Sequence, residues 1–235
     1  MSLRIEEWFE RAGGEFVSSS PEMITRLAGV RAFVFDWDGV FNDGVKGEGV
    51  SSPWSEADSM GQNLLRFGWW LRDGGRLPPV AVLTGQHNPS AVQLAKRERF
   101  QAVYQGFLDK TTALEHFLET NGLEADEVGF LFDDALDLAV ARRVGLRFLV
   151  RRAASPLFQR FAVNEGTCDY VTGLEGGQHA VREVAELVLG MSGLYERAVS
   201  ERSSFGEAYE AYLEARQAQV VALFRSADGR VEAAP

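Results

Sequence analysis

Two aspartates one residue apart close an apolar run in this chain, where Phe33-Val34-Phe35 leads into Asp36-Trp37-Asp38-Gly39. The run reads as a buried strand. Carboxylates at its end are costly to desolvate unless a cation, a proton or a substrate meets them. Taken alone, the segment also reads as a solvated turn, because Asp and Gly are common turn residues. Three more segments of this kind follow in order. Val80-Ala81-Val82-Leu83 runs into Thr84-Gly85-Gln86. Tyr104-Gln105-Gly106-Phe107-Leu108-Asp109 leads to Lys110, where a helical pattern begins. Val128-Gly129-Phe130-Leu131-Phe132 runs into Asp133-Asp134, with Asp137 three residues beyond. Parallel strands would bring these groups to one edge of a sheet, where open α/β sheets bind ligands.

A hydroxyl, an ammonium and two acidic pairs suit phosphoryl transfer. That reaction needs a nucleophile in line with phosphorus and cations to neutralise the equatorial oxygens. An Asp carboxylate serves as nucleophile, and a second carboxyl group protonates the leaving alcohol and then deprotonates water. Carboxylates from two strand ends suit Mg²⁺, which prefers oxygen ligands. Lysine and threonine supply a compact charge and a neutral donor to phosphate oxygens.

The elements that must position these groups follow from periodicity. Short helices fit 3–12 and 21–29. Strands fit 31–36, 80–84, 101–104, 128–132, 146–150 and 169–171. Helices fit 58–73, 89–99, 110–120, 135–143, 155–162 and 177–190. Strands alternating with helices imply an α/β fold with a doubly wound parallel sheet. Glycines 44, 47 and 49 bracket a β-hairpin around Lys46-Gly47-Glu48-Gly49 after the first strand. Roughly 45 residues separate Asp38 from Thr84; a hairpin and a helix consume them, leaving no room for a large cap domain. The expected organisation is a helical lead-in over 1–29, a core over 30–190 and a helical extension over 191–235. In that extension Phe205, Tyr209, Tyr212, Leu213, Val220, Leu223 and Phe224 recur at helical spacing, and the final SADGRVEAAP reads as frayed. A helix packed on its own core is favoured there over an oligomerisation element or a cover for a neighbour's site.

The four motifs in this order resemble those of the haloacid dehalogenase (HAD) superfamily of phosphotransferases. Within it, FDWDGVFNDG, VLTGQ, YQGFLDKTTAL, LFDDALDLAV and CDYVTGLEGGQHAVREVAELVL, between Val30 and Leu189, are similar to the capless 3-deoxy-D-manno-octulosonate 8-phosphate phosphatase family. The resemblance implies a HAD-like Rossmannoid core and an aspartyl-phosphate on Asp36. It implies that Asp38 is general acid/base with its backbone carbonyl on Mg²⁺, and that Asp133 is the third protein ligand. Thr84 and Lys110 would hold the phosphoryl group. Asp137 would orient a metal-bound water or Lys110, and Asp134 would support them. Gly39 would let backbone approach the phosphate. Asn42, Gly85 and Gln86 would border the substrate. The resemblance further implies a homotetramer built through the hairpin, with neighbouring chains completing the pocket. The chain departs from the family pattern at several positions. Gln86 and Ala57 stand where arginines are usual, Phe132 replaces a glycine, Trp37 a small aliphatic and Asn42 a threonine. Every catalytic group is present. The implied substrate is a small phosphorylated sugar acid, the octulosonate 8-phosphate or a relative. An unrelated small phosphate ester and a non-catalytic module of this fold are the alternatives. A mutase is disfavoured because water exclusion calls for a cap.

A net charge of −10 over 235 residues argues against nucleic acid or an anionic membrane as partner. Cys168 is the single cysteine, so no intrachain disulfide is expected, and its place before a short strand reads as structural. No long apolar run or signal segment stands out, and a cytoplasmic protein is expected. No His/Cys spacing suits zinc. Of the three histidines, His116 and His179 read as scaffold, whereas His87 follows the second motif directly and is the candidate to meet substrate.

Overall fold

The apolar runs pair as their spacing predicts. A computed structural model describes residues 2–47 and 52–234, the first three by backbone alone. The strands are β1 (Glu15–Phe16), β2 (Ala32–Phe35), β3 (Val80–Thr84), β4 (Ala102–Gln105), β5 (Val128–Phe132), β6 (Leu146–Arg151), β7 (Tyr170–Glu175), β8 (Ala222–Ala227) and β9 (Arg230–Ala233). They form one sheet in the order β1-β7-β6-β5-β2-β3-β4-β8-β9. From β7 to β8 every neighbouring pair is parallel. The two outer strands, β1 and β9, are antiparallel.

Side chains on each central strand divide between two cores, as alternation in a strand demands. Phe33 and Phe35 enter one, and Ala32 and Val34 the other. The first core is covered by α1 (Ser2–Arg11), α2 (Ser20–Gly29), α3 (Glu56–Arg72) and α4 (Pro89–Glu98). The second is covered by α5 (Lys110–Asn121), α6 (Leu138–Ala141) and α7 (Pro156–Asn164). Then α8 (Ala180–Met191), α9 (Tyr195–Ser204) and α10 (Glu207–Ala218) return to the first face. This is the doubly wound architecture. After β2 the chain goes to β3 and β4 on one side, then crosses to β5, β6 and β7 on the other. The order therefore reverses beside β2, where such sheets bind ligands. Each face carries a layer of helices, with no large cap domain among the described residues. Nor is any described helix long and apolar enough to cross a membrane. Cys168 is buried just before β7, and burial pushes its thiol up to about 12.

Four expectations need correction. The lead-in is not wholly helical, because β1 adds an edge to the sheet. The stretch 135–143 is a 3-10 turn over Ala135–Asp137 followed by the short α6. The hairpin between β2 and α3 has no strand at 43–47 or 52–55; the rest of its turn falls on 48–51, outside the described residues. There the Asn42 side chain accepts from the Gly44 N–H (2.9 Å) and that of Asp43 from the Val45 N–H (3.3 Å). Such local bonds compete with a strand ladder.

The fourth correction is the tail, which is helical only to Ala218. Val220, Leu223 and Phe224 lie beyond the helix. The supposedly frayed end is a hairpin, with Ala227 paired to Arg230 across Asp228-Gly229. Both turn residues have positive φ, 48° and 75°, the conformation of a two-residue hairpin turn that Asp-Gly favours. β8 pairs in parallel with β4, and Phe224 stacks on Tyr104 at 4.9 Å. His116 donates to or accepts from the Tyr104 hydroxyl (2.8 Å) and packs on Phe224, so it is scaffold, as expected. Phe224→Ala should lower unfolding stability by about 2 kcal/mol, because it removes a half-buried ring from this edge; urea denaturation followed by fluorescence measures it.

Candidate active site

Asp36 follows β2 directly, and its N–H donates to the Leu131 carbonyl (2.9 Å), extending the ladder towards β5. The next residue, Trp37, is fully buried in the first core and stacks on Phe41 at 4.9 Å. The bulky residue therefore anchors the turn from behind, while both flanking aspartates line one open cavity of about 330 Å³. The Asn42 amide donates to the Trp37 carbonyl (3.3 Å) and pins the same turn. Asn42 is buried and does not line the cavity. Its role is to hold the backbone that carries Asp36 and Asp38.

Gly39 is required by contact as well as conformation. Its φ is 85°, and a Cβ there would come within 2.0 Å of Asp133 Oδ2. From the far side, a Cβ on Gly176 would come within 2.1 Å of the Gly39 carbonyl oxygen. Glycine at both positions lets the segment after β7 press on the turn that carries Asp36 and Asp38.

Lys110 is the first residue of α5, which Asp109 caps by accepting from the Thr111 N–H at 3.0 Å. Its ammonium is buried and donates to Asp36 Oδ1 and Asp137 Oδ1, each at 2.6 Å. Burial alone would lower the lysine, but Asp36 and Asp137 overcome it and hold it charged above its ordinary value. Asp133 pairs with Arg152 at the end of β6. Burial, then the Asp36 charge, pushes Asp133 up to about 7 despite that arginine. The same two causes push Asp137 up to about 8 despite Lys110.

On the opposite wall, Asp38 Oδ2 receives Lys46 Nζ at 2.6 Å and the Asn88 amide at 2.9 Å. Asn88 also donates to Thr84 Oγ1 (2.7 Å), and its own N–H donates to Gln105 Oε1 (3.0 Å). Thr84, Asp38 and the end of β4 are thus tied into one network. Asp38 Oδ1 is buried without a hydrogen-bond partner among the described residues, an open acceptor position beside the cavity.

The structure therefore brings Asp36, Asp38, Gly85, Gln86, Lys110, Asp133, Asp134 and Asp137 to one cavity. Thr84 lies directly behind them, fully buried. His87 is exposed and does not line the cavity, so its candidacy gains no support. His179 Nδ1 lies 3.0 Å from Ser55 Oγ at the start of α3, a scaffold position as expected. Asp58 is fully buried and accepts from the Arg182 N–H (3.0 Å), joining the starts of α3 and α8. Sequence reasoning missed Lys46, Asn88 and Arg152. The spacing of Lys46 and Asn88 from Asp38 and Thr84 carries no motif. The one available signal for Arg152 was its place just past the end of an apolar run, as Asp133 follows another.

Five carboxylates line the cavity against three cationic side chains, Lys46, Lys110 and Arg152. Burial first, and then that crowding of acids, raises Asp133 and Asp137. Oxygens of Asp36, Asp133 and Asp137 lie within 4.8 Å of one another, an oxygen donor set that fits a hard divalent cation. The cation would supply the missing positive charge.

No family model matches the chain. It is 30% identical to the 3-deoxy-D-manno-octulosonate 8-phosphate phosphatase KdsC of Salmonella typhimurium, over 76% of this chain and 89% of that protein. A probable YrbI family phosphatase from Pseudomonas syringae superposes with a TM-score of 0.64 at 31% identity, covering 77% of this chain and 96% of its own. The octulosonate 8-phosphate phosphatase of Moraxella catarrhalis, solved with a magnesium ion, a phosphate ion and a KDO molecule, superposes with a TM-score of 0.63. It is 26% identical, over 76% of this chain and 97% of its own.

A cation at this cluster should be visible in stability. Folded-state values above the ordinary carboxylate value mean that the folded protein holds protons which the unfolded chain releases. Without metal, that contribution to stability is fully present below about pH 4 and is lost as pH rises through about 7 and about 8. Mg²⁺ should therefore raise the thermal midpoint of metal-free protein, and by more at pH 8 than at pH 5. Differential scanning fluorimetry with and without a chelator measures this.

Proposed function

The chain belongs to the HAD superfamily, within its 3-deoxy-D-manno-octulosonate 8-phosphate phosphatase family, and from that premise we propose that this Mg²⁺-dependent phosphatase hydrolyses a small phosphorylated sugar acid through an aspartyl-phosphate. The observation that carries the reading is the buried Lys110 ammonium, which joins Asp36 to Asp137 at the edge where β2 and β5 end. That ammonium orients the Asp36 carboxylate and offers positive charge where a phosphoryl group must sit.

In this reading Asp36 attacks phosphorus through a carboxylate oxygen, and the P–O bond to the sugar breaks. Asp38 gives its proton to the departing alkoxide. It then takes a proton from the water that attacks the phosphoryl group, so that inorganic phosphate leaves and Asp36 is regenerated. Lys46 and Asn88 hold the Asp38 carboxylate in place for both transfers. Thr84 donates its hydroxyl to a phosphoryl oxygen, and Asn88 fixes the orientation of that hydroxyl. Asp36 and Asp133, with Asp137 beside them, are the groups that would hold Mg²⁺; the resemblance adds the Asp38 carbonyl to that set. When bound, the ion neutralises charge on the phosphoryl oxygens.

The same reading includes a homo-oligomer, with a tetramer as its expected form. Its support is an open catalytic cavity with exposed apolar side chains beside it: Leu136 on its wall, Val45 between two lining residues, and Leu108 near Gly85. Light scattering on purified protein should give a mass of several chains, and a monomer with full activity would remove this part.

Asp36→Asn should lower kcat by more than about a thousandfold on every ester, because the nucleophile is gone. Asp38→Asn should be nearly as slow overall, yet with a good leaving group it should accumulate a phosphoenzyme detectable by mass spectrometry. A panel of phosphate esters with Mg²⁺ reads both. Turnover near the wild-type rate in Asp36→Asn, or no phosphate released from any ester by the wild type, would refute the assignment.

A further inference from the structure

The sheet ends at β9. One side of β9 pairs with β8, and the other meets no strand among the described residues. We propose that this edge pairs with β9 of a second copy of this chain, antiparallel about a two-fold axis at Val231, so that one sheet runs through both chains.

The β8–β9 hairpin determines which backbone groups are available. The Ala234 N–H donates to the Leu223 carbonyl (2.7 Å), and the register sets Glu232 against Arg225 and Arg230 against Ala227. Along an antiparallel strand, residues bonded to one neighbour alternate with residues that face away from it. The N–H and carbonyl groups of Arg230, Glu232 and Ala234 therefore point to β8, and those of Val231 and Ala233 point outwards. An axis at Val231 sets Val231 against its own copy and Ala233 against the partner subunit's Gly229. Donor then meets acceptor along the seam.

Charge selects this register. Arg230 and Glu232 are exposed and two residues apart, so they share the face opposite Val231. Val231 packs on the second core. The axis brings Arg230 against the partner subunit's Glu232 and, by symmetry, Glu232 against the partner subunit's Arg230. These are non-hydrogen-bonded positions, where Cα atoms lie about 4.5 Å apart and side chains approach closely. Moving the axis one residue in either direction sets arginine against arginine or glutamate against glutamate, and like charges directly opposite are destabilising. Both groups can take the new partner. Arg230 has no ion pair among the described residues, and Arg225 engages Glu232 through Oε2 at 3.2 Å, leaving Oε1.

Charges on an edge strand usually guard it against pairing. Here the two signs are spaced so that the reversed strand complements them. Nothing bulky obstructs the seam, since Gly229 and Ala233 carry the smallest side chains. The contact is short and falls below the size of a permanent interface, so association through it should depend on protein concentration.

Charge exchange between two variants tests the pairing. Arg230→Glu and Glu232→Arg should each weaken self-association tenfold or more, and each should show half the wild-type mass by light scattering at a concentration where the wild type is associated. An equimolar mixture should recover the wild-type mass, because opposite charges then face each other at both positions. A hairpin that had merely misfolded in either variant would gain nothing from mixing. Ala233→Pro removes an outward N–H without touching the β8 ladder, and it should also halve the mass. Urea midpoints near that of the wild type would show that the variants fold. Wild-type mass retained in all three variants overturns the pairing, as does a mixture that fails to recover it. So does a wild type that stays monomeric up to about 100 micromolar, beyond the range of a weak specific contact. Assembly only through the apolar side chains around the catalytic cavity would leave the mass unchanged by these substitutions. None of these readouts uses turnover, so the pairing stands or falls apart from the phosphatase reading.

Discussion

A buried ammonium between two buried carboxylates is the interaction on which this structure turns. Lys110 cannot be charged in the interior without Asp36 and Asp137, and those acids cannot lie so close without Lys110. Each comes from a different element: the end of β2, the start of α5 and the turn after β5. Their meeting requires that β2 and β5 be parallel neighbours and that α5 begin on the same edge. The doubly wound order satisfies this at the point where it reverses. The Asp36–Lys110–Asp137 cluster is thus also a statement about topology, because a different strand order would strand each charge alone.

Much of this was legible in the sequence because it rests on local patterns. Apolar runs of four to six residues ending in polar groups gave the parallel strands, and the order of Asp36, Thr84, Lys110 and Asp133 gave the edge. The remainder depends on contacts between segments that carry no shared signal. Arg152 meets Asp133 because β6 pairs with β5 in a particular register. Asn88 meets Asp38 because β2 and β3 are parallel neighbours, so the turns that follow them lie side by side. Single-sequence reasoning has no access to either event. The tail shows a different failure. Its aromatic spacing was compatible with a helix, yet Asp228-Gly229 is a strong hairpin signal. There the turn residues decide the structure and the aromatic spacing does not.

The departures from the family pattern around Asp36 and Asp133 also have physical accounts. Trp37 between the two aspartates fills the core behind them and stacks on Phe41, a packing role that a bulky ring can perform because the strand alternates. Asn42 provides both a donor to the Trp37 carbonyl and an acceptor for the Gly44 N–H. Phe132 stacks on Phe130 at 5.5 Å within the second core, so the residue before Asp133 contributes packing there. These positions change what supports the cavity and leave its carboxylates and Lys110 in place.

The β8–β9 hairpin has a consequence in time. It follows every other described strand in chain order, yet it covers the β4 edge, from which Gln105 reaches the Asn88–Thr84–Asp38 network. During synthesis β4 emerges long before its outer partner, and its hydrogen-bonding edge stands open throughout that interval. An unpaired edge is a template for joining another chain. Ribosome pausing, or a tag placed just before the hairpin, would lengthen the window in which a nascent chain can pair with the wrong neighbour. The yield of folded protein should then depend on translation speed between β4 and β8 as well as on the stability of the finished sheet.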